Sequence, residues 1–348
     1  MKEYWPYIVT CLVAWLATDL LIPHITKIAY FYGKVDKPGT RKIHEKPIPR
    51  LGGVAIFLGF LAGICILELL QPGYFFRLKS PWLGIICGGS LMFLLGVWDD
   101  LSPVPAKIKF TIQIIIALLV YWLGVRVEFI TNPFGGLIMF PKWLSVLITV
   151  FWLVGITNTI NLIDGLDGLA AGVSIIASIT LSIIALQKGQ ILSALIAITL
   201  AGGTIGFLRY NFNPAKIFMG DSGSLFLGFT LSAISITGVM KIAATVAVIL
   251  PLLILGIPIL DTAFAILRRS INKQPIFQPD KKHIHHRLLS VGFSQKKVVI
   301  IIYSISALLG GTALYLSGSP HHANPVIIAS VLMFLWGIYD LKKLKRSE

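Results

Sequence analysis

The 348-residue chain is 56% hydrophobic and only 13% charged, with a mean hydropathy of +0.83, which excludes a water-soluble globular domain as its main body. Thirty Lys and Arg against fifteen Asp and Glu leave a formal charge of +15. In a membrane chain such an excess collects beside anionic headgroups on the cytoplasmic side, so it implies no nucleic-acid partner.

A helix that crosses the hydrocarbon core needs roughly 20 apolar residues. By that measure the sequence predicts an all-α, polytopic membrane protein with about eleven transmembrane helices. They lie near 5–25, 51–70, 82–98, 110–125, 143–160, 169–186, 190–208, 223–239, 242–262, 298–316 and 324–339. The first run contains Asp19 and lacks a small-x-small cleavage site, so it is expected to be a retained helix rather than a signal peptide. Only Gly238 to Lys241 separates the eighth run from the ninth, and Pro251, Gly256 and Pro258 predict a kinked ninth helix that could border a lipid-facing groove. Cys11, Cys65 and Cys87 sit in apolar runs with no metal-ligand spacing and are expected to be packing residues. Asp19, Glu68, Asp261 and Asp340 stand singly at span ends, where each is expected to reach water.

Orientation follows from the cations. With the N-terminus outside and the C-terminus cytoplasmic, 23 of the 30 Lys and Arg fall on the cytoplasmic side, a strong positive-inside asymmetry. The chain is then one integral-membrane domain over 1–348, with cytoplasmic loops near 26–50, 99–109, 158–168, 209–222 and 263–297. Nearly all the uncommon polar chemistry lies in or beside these loops.

The densest of it is Asn158-Thr-Ile-Asn161-Leu-Ile-Asp164-Gly165-Leu-Asp167-Gly168, wedged between two apolar runs. A carboxylate at midplane costs about 3 kcal/mol, so this stretch must border water, a cation or a polar ligand. Asp167 as a helix N-cap is the plain structural alternative. Asp99-Asp100 closes the third run; adjacent carboxylates repel, raising one pKa and suiting a proton acceptor or metal partner, although Asp100 or Ser102 could also cap a helix. Lys107 and Lys109 follow as phosphate ligands or as topology determinants.

In Asn211-Phe-Asn213-Pro-Ala-Lys-Ile-Phe218-Met-Gly220-Asp221 a glycine-flanked carboxylate meets the start of a helix. Asp221 with the Asn161 or Asp164 group could supply the oxygens that Mg2+ takes alongside substrate phosphates. His283, His285, His286 and Arg287, with Lys281 and Lys282, suit a diphosphate clamp better than Zn2+, because no cysteine or well-spaced fourth ligand accompanies the imidazoles. Arg41, His44 and Arg50 add anion donors in the first loop.

Taken in order, the Arg41 to Gly53 loop, Asp99-Asp100, Asn158 to Ala170, Asn211 to Gly223 and His283-Ile-His285-His286-Arg287 resemble the polyprenyl-phosphate N-acetylhexosamine-1-phosphate transferases, glycosyltransferase family 4, across essentially the whole chain. Within that family they resemble the bacterial UDP-GlcNAc:undecaprenyl-phosphate branch. The resemblance implies an enzyme of the bacterial plasma membrane that faces the cytoplasm. It would move GlcNAc 1-phosphate from a UDP-sugar to undecaprenyl phosphate, release UMP, and so start a glycopolymer such as teichoic acid, O-antigen or lipopolysaccharide.

It also implies Mg2+, with Mn2+ as a substitute, held by Asp221 and Asn161. Asp99 would deprotonate or orient the lipid phosphate, as base or as nucleophile, with Asp100 beside it and Asp164 and Asp167 needed for activity. Asn158, Lys107, Lys109, Arg41 and His44 are carried over as substrate-binding residues, Asn211 and Phe218 as nucleotide contacts, and the histidine string as the loop that recognises sugar and diphosphate. The chain departs from many relatives in having no further acidic residue after Asp99-Asp100 in that short loop. UDP-GalNAc or a 6-deoxy sugar stays open as donor, as do a homodimer and a phospho-MurNAc-pentapeptide transferase. A secondary transporter is disfavoured, because its ionisable groups would lie near midplane within inverted repeats.

Overall fold

The computed structural model describes residues 4–36, 47–70, 81–131, 136–240, 249–271 and 284–344, and most of them are α-helical. The helices are α1 (Trp5–Phe31), α2 (Gly52–Leu70), α3 (Trp82–Leu101), α4 (Ala106–Trp122), α5 (Lys142–Ile163), α6 (Leu169–Gln187) and α7 (Ile191–Asn211). They continue with α8 (Gly220–Ser235), α9 (Ile249–Ile254), α10 (Gly256–Ile271), α11 (Ile284–Ser290), α12 (Gln295–Leu316) and α13 (Pro320–Leu344). A five-residue π-helix, Ile236–Met240, prolongs α8.

Eight helices among the described residues are long and apolar enough to cross a membrane: α1, α2, α3, α5, α6, α7, α8 with its π-helical continuation, and α12. The fourth expected run is a helix of 17 residues. The ninth lies partly outside the described residues, and where it is described it breaks at Leu255 between α9 and α10, at the Pro251, Gly256 and Pro258 positions that predict a kink. The expected loops are shorter than the sequence suggested. Asp99 and Asp100 lie within α3, Asn158 and Asn161 within α5, and α10 runs on to Ile271.

Two small antiparallel pairs qualify the all-α expectation: β1 (Val35–Asp36) with β2 (Ile48–Pro49), and β3 (Phe129–Thr131) with β4 (Leu137–Met139). Asp261, expected at water, is instead only 4% exposed.

In lipid there is little hydrophobic force between helices, and small residues let backbones approach. The buried stripe of α1 runs Pro6, Thr10, Ala14, Thr18, Ile22, Ile25 and Ala29 at roughly four-residue spacing, small residues at most of these positions, packed on α2 and α7, while Leu12, Leu16 and Leu20 face outward. A Cβ at Gly202 of α7 would stand 2.2 Å from the Cys11 carbonyl oxygen. At the centre lies α8, buried from Ser222 onward among α2, α3, α5, α6 and α7. Phe57 and Phe93 stack with centroids 3.9 Å apart, and Phe226 of α8 meets Phe57 edge-on at 5.3 Å.

Candidate active site

The site is built around the first turn of α8. A helix start leaves backbone N–H groups unpaired and carries a partial positive charge, so it attracts a carboxylate. Asp100, at the end of α3, supplies one: its Oδ1 accepts from the Asp221 amide at 2.8 Å and its Oδ2 from the Ser222 amide at 3.0 Å. Lys34 donates from Nζ to the Leu101 carbonyl at 2.8 Å and fixes the same end of α3. Gly220, at φ +72°, has no room for a side chain, because a Cβ would lie 2.5 Å from Asp100 Oδ2. At Gly96 a Cβ would lie 2.4 Å from the Asp221 carbonyl oxygen. Backbone-close packing of α3 on α8 thus sets where the Asp221 side chain stands.

The neighbours Asp99 and Asp100 diverge. Asp100 is committed to amides of α8, and Asp99 turns toward Lys109. Asp99 Oδ1 accepts from the Val104 amide at 2.8 Å, and its Oδ2 lies 3.2 Å from Lys109 Nζ. The same ammonium is ion-paired to Asp221 Oδ2. The other oxygen of Asp221 accepts from Asn161 Nδ2 at 3.1 Å, and Nδ2 also donates to Ser224 Oγ at 2.8 Å. Asn161 Oδ1 is thereby left as the acceptor end of that amide. The side chains of Lys109, Asp99 and Asp221 remain 19%, 18% and 24% exposed, enough for a ligand to reach them.

Asp164 follows α5 and makes no side-chain hydrogen bond among the described residues. Burial raises its pKa first, and the charges of Asp221, Asp100 and Asp167 push the same way against the weaker pull of Arg50, so that it reaches about 7. Arg50 itself is ion-paired to Asp36.

Other expected ligands turn out to be braces. Asp167 does not cap α6; its Oδ2 accepts from Asn213 Nδ2 and the Ala215 amide, both at 3.0 Å. Asn211, expected to touch nucleotide, is 2% exposed, and both ends of its amide are used: Oδ1 accepts from the Gly168 amide at 3.0 Å and Nδ2 donates to the Ile217 carbonyl at 2.9 Å. Asn158 donates to Gln113 Oε1 at 2.6 Å and to the Val154 carbonyl at 2.8 Å, so only its Oδ1 faces outward as an acceptor. Phe218 is half-buried, and its backbone pairs with Pro49 and Gly52. Lys107 is exposed on the first turn of α4, and Arg287 is exposed on α11. Arg41, His44 and His283 lie outside the described residues, as do the side chains of His285 and His286 on α11. Gln113, Asn213, Gln295 and Tyr303 were not singled out as site residues. None carries a local signal of its partner, which lies far away in the sequence.

Among the described residues no three His, Cys, Asp or Glu side chains stand together as a ready metal cage. Mg2+ does not need one, since it keeps waters and substrate phosphate oxygens and takes one or two carboxylates. The donor set fits that pattern. Asp221 and Asn161 Oδ1 are oxygen donors on facing helices, and Lys109 is the one cation paired with the carboxylates of Asp99, Asp164 and Asp221 among the described residues.

Residues 82–239, from α3 to the end of the α8 rod, match the family model described as glycosyl transferase family 4. A protein of Bacillus subtilis (strain 168) named a probable undecaprenyl-phosphate N-acetylglucosaminyl 1-phosphate transferase is 41% identical over 341 residues, 98% of this chain and 93% of that one. The chain belongs to glycosyl transferase family 4. A decaprenyl-phosphate N-acetylglucosaminephosphotransferase of Mycobacterium leprae is 33% identical, covering 92% of this chain and 86% of its own. An undecaprenyl-phosphate alpha-N-acetylglucosaminyl 1-phosphate transferase of Yersinia pestis is 30% identical, covering 81% and 77%. The part matched by the family 4 model includes Asp99, Lys109, Asn161, Asp164 and Asp221, whereas α11 and α12 lie beyond it.

Proposed function

We propose that this chain transfers GlcNAc 1-phosphate from UDP-GlcNAc to undecaprenyl phosphate at the cytoplasmic face of a bacterial plasma membrane, releasing UMP and beginning a cell-envelope glycopolymer. The observation that carries the reading is the single Lys109 ammonium shared by Asp99 and Asp221, partly open to solvent at the end of a membrane helix bundle. An insoluble lipid phosphate and a soluble nucleotide sugar can both reach such a place. The names of the relatives support the transferred group and the acceptor.

Phosphoryl transfer asks the protein for alignment and charge neutralisation. An oxygen of the acceptor phosphate attacks the β-phosphorus of the donor, the new P–O bond forms, and the bond to the bridging oxygen breaks as UMP leaves. Asp99, held by the Val104 amide and Lys109, accepts or orients the acceptor's proton. Lys109 offers its ammonium to phosphate oxygens where it now meets two carboxylates. Asp221 and Asn161 would hold Mg2+, which when bound neutralises charge on the diphosphate. Asp100 keeps Asp221 in place through the first amides of α8, and Asp164 adds a carboxylate that titrates near neutrality.

Eleven spans with an outside N-terminus, one membrane domain and a cytoplasmic site complete the proposal, supported by 23 of the 30 cations on one side. The deciding experiment gives purified protein polyprenyl phosphate, Mg2+ and a panel of UDP-sugars. UMP release, greatest with UDP-GlcNAc, is the expected result. Folded protein that releases UMP from none of the donors would sink the proposal.

A further inference from the structure

Two struts run from α12 to the segment between α5 and α6. At its first residue, Gln295 Oε1 accepts from Asn213 Nδ2 at 2.8 Å, and that same nitrogen donates to Asp167 Oδ2 at 3.0 Å. Two turns further on, Tyr303 Oη donates to the Gly168 carbonyl at 2.5 Å. Gln295, Val299 and Tyr303 recur every four residues, so they share one face of the helix, and Val299 between the polar pair is fully buried. Residue 168 is thus held directly by Tyr303 of α12 and by Asn211 of α7, and residue 167 by Asn213, which Gln295 holds in turn.

The chain just before Gln295 gives this pin a second use. α11, which carries His285, His286 and Arg287, ends at Ser290, and only residues 291–294 separate it from Gln295. That link is tightly turned, with Gly292 at φ +98°, and Leu288, Leu289 and Phe293 pack on the main core. A four-residue connection leaves α11 little freedom once the start of α12 is fixed, so whatever sets Gln295 also sets the histidine-bearing helix.

We propose that Gln295 is a positioning residue for donor binding: through Asn213 it ties the start of α12, and α11 with it, to Asp167, and so sets the spacing between the basic helix and the carboxylate site. Asn213 is the coupling element because one amide nitrogen spends its two hydrogens on the two sides. The lipid acceptor is not addressed by this tether, since Asp99 and Lys109 stand on α3 and α4. The inference rests on the UDP-sugar reading above.

The test uses full-length protein in lipid nanodiscs with two independent measurements, hydrogen exchange over 284–290 and steady-state kinetics with each substrate varied. Gln295→Ala and Gln295→Lys, neither of which can accept from Asn213, are expected to speed exchange over 284–290 while leaving 300–316 unchanged. Both should raise KM for UDP-GlcNAc about tenfold, the loss of one hydrogen bond's alignment, with little change in kcat and none in KM for undecaprenyl phosphate. Gln295→Glu keeps an acceptor and should return both readings toward wild type. An unchanged donor KM in a folded Ala or Lys variant, or an equal rise in both KM values, overturns the proposal. Wild-type protein that releases no UMP would instead defeat the donor reading, and unchanged exchange in the variants would then defeat the tether separately.

Discussion

Two polar centres lie side by side at one end of the bundle, and they are built on opposite principles. In the brace formed by Asp167, Asn211, Asn213, Gln295 and Tyr303, polar groups meet fixed partners at 2.5 to 3.0 Å, several of them backbone amides and carbonyls. In the neighbouring cluster Asp99 and Asp221 divide one ammonium, and Asp164 faces three carboxylates with no hydrogen bond among the described residues. A satisfied buried network rigidifies, whereas under-compensated charge invites a cation or a phosphate. Under the proposed function the first centre carries structure and the second chemistry.

The sharpest way to break it is Asp221→Asn, which removes charge where the cluster needs it. UMP release should fall by about a thousandfold or more in protein that still melts cooperatively; a fall below tenfold would place the chemistry elsewhere. Lys109→Met comes next. It leaves Asp99 and Asp221 facing each other without a counter-charge and should lower kcat about a hundredfold.

Asn211→Ala probes the brace. It strands the Gly168 N–H and the Ile217 carbonyl, which should remove about 2 to 4 kcal/mol of stability and lower the melting temperature, with KM for UDP-GlcNAc within about twofold of wild type at a permissive temperature. A raised KM at unchanged melting temperature would return Asn211 to the nucleotide.

The smallest effect is on pH dependence. The pKa of Asp164 is raised in the folded protein to about 7 from an ordinary 3.8, so the native state binds the extra proton between those values. Its contribution is fully present below about pH 4 and is lost as pH rises through about 7. Protein in chelator should therefore melt at a lower temperature at pH 8 than at pH 5, and Asp164→Asn should shrink that difference; an undiminished difference would show that other groups carry it.

How much of this the sequence revealed divides along the same line. Apolar length marks the helices, and the expected kink corresponds to a break at Leu255, between Pro251 and Pro258, because both signals are local. Asp221 and Asn161 were read as partners, and they are in contact. What a sequence does not display is which carboxylate is already spent. Asp99 and Asp100 are adjacent and chemically identical, yet Asp100 is bound to an amide 121 residues away and Asp167 to one 48 residues on. The same holds for Gln295 and Tyr303 of α12, whose partners only tertiary packing supplies.

The burial of α8 has a further consequence. Helices such as α1 present a wide greasy face and must tilt or shift when the bilayer thins or thickens. The rod that carries Asp221 is buried from Ser222 onward, inside a jacket of other helices. Mismatch strain is absorbed in that jacket, leaving the first turn of α8 as a fixed point against which membranes of different thickness can flex.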